Sequence, residues 1–155
     1  MTSTTSAGML SDERITAFGR LVEAHRRLNR IFDKSLRAEF GISSVWFEAL
    51  LRLGRSPDHR MGITELGEQL VLTSGGATRL VDRLVEAGYL ERTACPDDRR
   101  VQFAQLTEEG LDLIGRAVTH HLVDLEQHFA SQISEDELRI MNDVLDRLRS
   151  CDSGA

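Results

Sequence analysis

Two short stretches hold the residues with the clearest chemistry. The first is Thr73-Ser74-Gly75-Gly76-Ala77-Thr78-Arg79, with Arg83 one helical turn further on. It brings hydroxyls, two glycines and two guanidiniums together. The second is Cys95-Pro96-Asp97-Asp98-Arg99-Arg100, a charged tip between two extended segments. Arginine makes paired hydrogen bonds to phosphate and to guanine edges, and it is drawn to the negative potential of a narrow minor groove. Hydroxyls donate to phosphate oxygens. Gly75 and Gly76 each cost about 1 kcal/mol in a helix relative to alanine. Their place at the head of a helix points either to close approach of the backbone to a partner or to a loose first turn. The chemistry expected of both stretches is recognition of a polyanion. Arg79 is the leading candidate, and Arg83 is either a phosphate clamp or an internal partner of Asp82 or Glu86.

Other reactive residues assemble less well. His120, His121 and His128 share one helical segment, and His120 and Asp124 have the i, i+4 spacing that can chelate a metal. There is no His-x-x-x-His pair, so the expectation is a solvated face, no metal and no cofactor. Cys95 and Cys151 lack metal-type spacing and form no disulfide framework. Free thiols and a cytoplasmic setting follow, with Cys95 a candidate redox-sensitive residue. No glycine-rich phosphate loop, metal triad or nucleophile–base set is present, so the sequence reads as a non-enzyme.

The elements that would position the two stretches follow from periodicity. Ser11 is placed to cap a long helix whose apolar stripe runs Ile15, Phe18, Leu21, His25, Leu28, Phe32, Leu36 and Phe40, and which Gly41 stops. Ser43 or Ser44 starts a second helix, with Trp46, Leu50 and Leu53 on one face and Phe47 and Leu51 on the next. After a loop at Ser56-Pro57-Asp58-His59, Thr64 is the expected cap of a short third helix. Val71 and Leu72 then form a turn into a helix from Ser74 to Ala87, with Ala77, Leu80, Val81 and Leu84 facing inward. Gly88 is its left-handed cap. Tyr89 to Arg92 and Arg99 to Leu106 make a hairpin, with Val101 and Phe103 on one face. Thr107 caps a long helix with the stripe Leu111, Ile114, Val118, Leu122, Leu125 and Phe129. Ser134-Glu135-Asp136-Glu137 is a capping box for a last helix carrying Leu138, Met141, Val144 or Leu145, and Leu148.

The fold class is therefore mainly α with a small β-hairpin: a winged helix-turn-helix flanked by N- and C-terminal dimerisation helices. Its expected organisation is a disordered N-terminus over 1–10, dimerisation helices over 11–42 and 107–151, and a DNA-binding lobe over 43–106. The N-terminal residues have neither the basic start nor the apolar core of a secretory signal, and no apolar run approaches the ~20 residues of a membrane span. A net charge of −6 opposes nucleic-acid binding only as an average, because binding follows where the cations cluster. Those cations are nearly all arginine, with Lys34 the only lysine.

In order and spacing, Thr64-Glu65-Leu66-Gly67, Thr78 to Leu84, Gly88-Tyr89-Leu90-Glu91-Arg92, Pro96 to Arg100 and Leu106 to Gly110 resemble the MarR (multiple antibiotic resistance regulator) family of winged-helix transcription factors. The likeness covers nearly the whole chain. It implies a homodimer on a pseudo-palindromic double-stranded operator. The recognition helix, with Thr73, Ser74, Gly75, Gly76, Thr78, Arg79 and Arg83, would lie in the major groove, and the wing residues Asp98, Arg99 and Arg100 in the minor groove. Asp98 and Arg100 match the family's Asp-x-Arg motif, in which the aspartate orients the arginine. It also implies a small aromatic or phenolic effector, for which His25, Trp46 and Phe47 are the candidate walls. The expected function is a repressor relieved by that effector. Alternatives are a metal- or redox-responsive regulator of the same fold, or a winged-helix protein-interaction module.

Overall fold

A computed structural model of the chain describes residues 6–150. The elements run α1 (Ser6–Leu10), α2 (Glu13–Phe40), α3 (Ser44–Arg55), β1 (Arg60–Gly62), α4 (Ile63–Gln69), α5 (Ser74–Glu86), β2 (Leu90–Ala94), β3 (Gln102–Leu106), α6 (Glu108–His128) and α7 (Glu135–Ser150). They form two compact units that divide within α6 after Val118.

In the first unit, Leu36 and Ile42 from the end of α2, Phe47, Leu50 and Leu53 of α3, Leu66 of α4, and Leu80, Val81 and Leu84 of α5 build one core. Leu90, Ala104 and Leu106 from the sheet and Leu113, Ile114 and Ala117 from the start of α6 complete it. Side chains cap the helices where they begin. Asp12 accepts from the Arg14 amide at 2.8 Å, Ser43 Oγ from the Trp46 amide at 3.2 Å, and Thr73 Oγ1 from the Gly76 amide at 3.1 Å. Each satisfies an amide that the helix itself leaves unpaired. Gly41, at φ 69°, ends α2 as expected.

The structure departs from the sequence reading in several places. Residues 1–5 of the lead-in, and Cys151, lie outside the described residues. Residues 6–10, expected to be disordered, form α1, whose end is closed by the Asp12 amide donating to the Met9 carbonyl at 3.3 Å. Asp12, not Ser11, caps α2, because its carboxylate reaches the amide two residues on. The hairpin gains a third strand, so the sheet order is β1-β3-β2 with Met61 opposite Ala104 and Gly62 opposite Phe103. Pairing Gly62 makes α4 begin at Ile63, and Thr64 falls inside its first turn instead of capping it. Ala104 and Leu106 point into the core, while Val101 is exposed and Phe103 is half-buried under the Arg60 guanidinium, 5.4 Å from its centroid. On α6, Leu113 faces inward and Leu111 outward.

Two tight crossings hold the helix-turn-helix and its wing. A Cβ on Gly67 would sit 2.7 Å from the Ala77 Cβ, so α4 and α5 cross at glycine distance. The turn between them is closed by the Val71 amide on the Glu68 carbonyl at 3.0 Å and the Leu72 amide on the Gly67 carbonyl at 2.8 Å. The end of α5 repeats this double bond, with the Gly88 amide on Val85 at 2.9 Å and the Tyr89 amide on Leu84 at 3.0 Å. Glycine supplies the left-handed residue there, at φ 83°, whereas the first turn uses Val71 at φ 55°. A β-branched residue in that region is strained by about 1–2 kcal/mol.

The second unit comprises the rest of α6 and α7. The Ser134 amide and hydroxyl donate to the Glu137 carboxylate at 2.8 and 2.9 Å, and the Glu137 amide returns to Ser134 Oγ at 3.3 Å, the capping box read from the sequence. No described side chain from 119 to 150 is buried.

A Cβ on Gly110 would meet the Tyr89 carbonyl oxygen at 2.1 Å. Gly110→Ala should therefore cost about 2–3 kcal/mol and lower the melting temperature by roughly 5–10 °C, read by circular dichroism. Asp33 joins α2 to α3, accepting from the Ser44 amide at 2.8 Å and from Arg37 Nε at 2.6 Å. The Ser44 amide, and after it Arg37, hold its carboxyl below the usual carboxylate range. A depressed acid contributes stability above its unfolded pKa and loses it as pH falls through the folded one. Stability should thus drop on acidification below about pH 4, by about 1 kcal/mol for this group, and the Asp33→Asn chain should show a flatter melting profile across that window.

Candidate nucleic-acid interface

Helix α5 begins on an open surface. Thr73, Ser74, Gly75, Thr78, Arg79 and Arg83 are exposed, while Ala77, Leu80, Val81 and Leu84 on the opposite face are buried. The 3.6-residue period alone produces this division. Thr78 Oγ1 donates to the Ser74 carbonyl at 3.0 Å. Gly75 has only the Arg79 guanidinium near its missing Cβ, at 3.4 Å, so no crowding inside the chain requires a glycine there. Gly76 differs, because a Cβ would press on the capping Thr73 Oγ1 at 3.0 Å.

Arg79 and Arg83 make no ion pair among the described residues. Of the two acids expected as partners for Arg83, Glu86 forms no ion pair with it among the described residues, and Asp82 accepts from Arg92 Nη2 of β2 at 2.6 Å, a contact that ties the wing to α5. A groove of about 610 Å3 runs between α4 and the wing, and Thr64, Glu68, Thr78, Arg92, Arg100 and Phe103 are among its lining residues. The sequence marks Thr64 as a helix cap and Arg92 as part of a motif, neither as a DNA-facing residue; the register of β2 and the start of α4 at Ile63 bring them beside Thr78.

The wing tip is a closed turn. The Cys95 amide donates to the Val101 carbonyl at 3.0 Å and the Val101 amide to the Asp98 carbonyl at 3.0 Å. Asp98 Oδ1 accepts from the Arg100 backbone amide at 2.9 Å. Among the described residues it makes no ion pair with the Arg100 guanidinium. Asp98 therefore fixes the main chain from which Arg100 projects, and leaves the guanidinium open. Asp97, Asp98, Arg99 and Arg100 are all exposed, and Cys95 is half-buried at the base of the turn.

The three residues expected to wall an effector are not brought together. Phe47 lies in the core, and His25 is exposed on α2 in a groove with Arg26, Asn29, Arg30 and Asp33. Trp46 lines a different groove of about 330 Å3 with Arg37, Leu72, Gly76, Arg79 and Arg83. Adjacent positions on a helix point about 100° apart, so Trp46 and Phe47 cannot share one wall. Trp46 also meets Tyr89 edge-on, with centroids 6.4 Å apart. In the second unit, His120 Nε2 lies 3.6 Å from Asp124 Oδ2. No group of three or more His, Cys, Asp or Glu side chains among the described residues is placed to hold a metal ion.

A helix-turn-helix with a hairpin wing, its open guanidiniums on the second helix and at the wing tip, defines a winged-helix DNA-binding regulator. The comparisons with known proteins narrow this class. A model described as MarR family matches residues 40–101. The transcriptional regulator MhqR of Bacillus subtilis (strain 168) is 30% identical over 139 residues, covering 90% of this chain and 93% of that one. Among solved structures, Sco3205, a MarR family regulator from Streptomyces coelicolor in complex with DNA, superposes with a TM-score of 0.82 at 26% identity, covering 90% of both chains. A mutant MarR from E. coli complexed with operator DNA gives 0.75 at 26% identity, covering 89% of this chain and 99% of that one. The chain belongs to the MarR family and is a DNA-binding transcriptional regulator, not an enzyme.

If Asp98 acts through the Arg100 amide, its charge is dispensable and its oxygen is not. Asp98→Asn should hold operator affinity within about threefold, and Asp98→Ala should lose about tenfold, the worth of one backbone hydrogen bond at an ordered tip. Fluorescence anisotropy on a labelled duplex selected by the wild-type protein reads both.

Proposed function

We propose that the protein is a homodimeric cytoplasmic repressor that binds a pseudo-palindromic operator and is released by a small anionic aromatic effector. The observation that carries this reading is the set of open guanidiniums, Arg79 and Arg83 on α5 and Arg100 at the wing tip. In this reading α5 enters a major groove with Thr73, Ser74, Gly75, Gly76, Thr78, Arg79 and Arg83, and the wing enters the neighbouring minor groove with Asp98, Arg99 and Arg100. A dimer would present two such lobes to half-sites roughly one helical turn apart.

Exposed apolar stripes support the dimer. Ile15, Phe18 and Leu21 on α2 are open in the single chain, Phe18 to 67%, and so are Leu122, Ile140 and Leu148 in the second unit. A unit with no buried side chain among its described residues lacks a core of its own, and a second copy would supply the cover. No helix among the described residues is long and apolar enough to cross a membrane.

The groove beside Trp46 supports the effector. An aromatic face and three guanidiniums line it; Arg37 is already paired with the lining carboxylate of Asp33, which leaves Arg79 and Arg83 to receive an aromatic carboxylate. Two of those guanidiniums, Arg79 and Arg83, are the ones offered to DNA, so occupying the groove and binding the operator would compete directly.

The test is an anisotropy titration over a range of salt. Wild-type affinity should fall steeply with salt, and Arg79→Ala and Arg100→Ala should each weaken binding about tenfold and flatten the log–log slope by about one. Millimolar salicylate should weaken wild-type binding and have little effect on Trp46→Ala. Equal affinity of wild type and Arg79→Ala for the selected duplex would sink the operator reading.

A further inference from the structure

Three more arginines converge away from α5 and the wing. Arg52, Arg55 and Arg60 line an opening of about 380 Å3 between α3, β1 and α4, together with Met61, Glu65 and Gln69. We propose that this opening binds a phosphate group, either a phosphodiester of DNA beyond the reach of α5 and the wing or a free phosphorylated small molecule.

These arginines have few counter-charges. Arg55 makes no hydrogen bond or ion pair among the described residues. Arg60 reaches only Asp58, at 3.7 Å, and that side chain is 76% exposed; its guanidinium is instead oriented over the Phe103 ring. Arg52 Nη1 donates to the neutral Gln69 Oε1 at 3.3 Å, while its Nε is buried without a partner. The one carboxylate lining the opening, Glu65, accepts from Gln69 Nε2 at 3.2 Å and forms no ion pair with these arginines. In a chain of net charge −6, three cations thus share one opening with a single lining carboxylate and one long, exposed ion pair, Arg60 with Asp58, and an anion seated there would reduce their mutual repulsion. A tetrahedral phosphate offers oxygens to all three, and a small turn of the Arg52 guanidinium would satisfy its Nε.

Arg55→Gln, Arg60→Gln and the double variant test this, since both side chains lie at the surface and a melting curve confirms the fold. On a duplex ending at the half-sites, the double variant should bind like wild type. On a duplex longer by about one helical turn at each end, a DNA source predicts about tenfold weaker binding and a salt slope flatter by about two. A free-phosphate source predicts instead that inorganic pyrophosphate raises the melting temperature of wild type but not of the double variant, with DNA binding equal at both lengths. If neither duplex length nor pyrophosphate separates the variant from wild type, the proposal is overturned. The duplex arm relies on the operator reading of α5; Arg79→Ala in the same titration shows whether that reading has failed, and the pyrophosphate arm stands without it.

Discussion

One threonine hydroxyl joins the parts of this lobe that have to act together. Thr107 Oγ1 donates to the Gly88 carbonyl at 2.7 Å and accepts from the Gly110 amide at 3.0 Å, and its own amide donates to the Tyr89 carbonyl at 3.1 Å. Four elements meet there: the end of α5, the start of β2, the end of β3 and the first turn of α6. A hydroxyl is suited to the task because it donates and accepts at once. Gly88 must be left-handed and Gly110 must lack a side chain for the three bonds to close. The orientation of the wing relative to α5 depends on this junction, and the Asp82–Arg92 pair reinforces it further out.

Much of the lobe was legible in the sequence because its signals are local. Helix α5 announced itself through the inward set from Ala77 to Leu84 and through Gly88, which keep those roles, while the choice of cap between Thr73 and Ser74 falls to Thr73. The last helix did so through Ser134 and Glu137. The misreadings around the sheet arise where a long-range contact overrides a local preference. Three residues are too few to show alternation, so Met61 and Gly62 read as a short extended link and not as a strand paired with β3, and that pairing displaced Thr64 from its cap. Val101 and Phe103 are the larger apolar side chains of β3, but the small Ala104 is what fits against the core. The candidate DNA-facing residues were readable as exposed polar positions on periodic elements. Arg92 was not, because what matters about it is which acid on another element it meets, Asp82 of α5.

Electrostatics in this chain is a matter of placement. A net-acidic protein keeps open guanidiniums on α5 and at the wing tip, while most of its other ion pairs lie within one helix, such as Arg37 with Asp33 and Arg116 with Asp112. Exposed pairs of that kind add little to stability, but they neutralise cations that would otherwise compete for a polyanion. The wing follows the same economy. Asp98 spends its carboxylate on a backbone amide, which orders the tip without cancelling the charge of Arg100.

The turn between α4 and α5 holds a reserve of a different kind. Val71 occupies a left-handed position that glycine fills at the end of α5, with its side chain 91% exposed. Every valine codon becomes a glycine codon by one nucleotide change, so a relaxed turn is a single step away in sequence space. Glycine's greater freedom in the unfolded chain would offset part of the relief, but the remainder is a margin that the lineage can draw on when another substitution erodes stability. Destabilisation brought by substitutions on the exposed face of α5 could be absorbed in part at this turn, without touching the core.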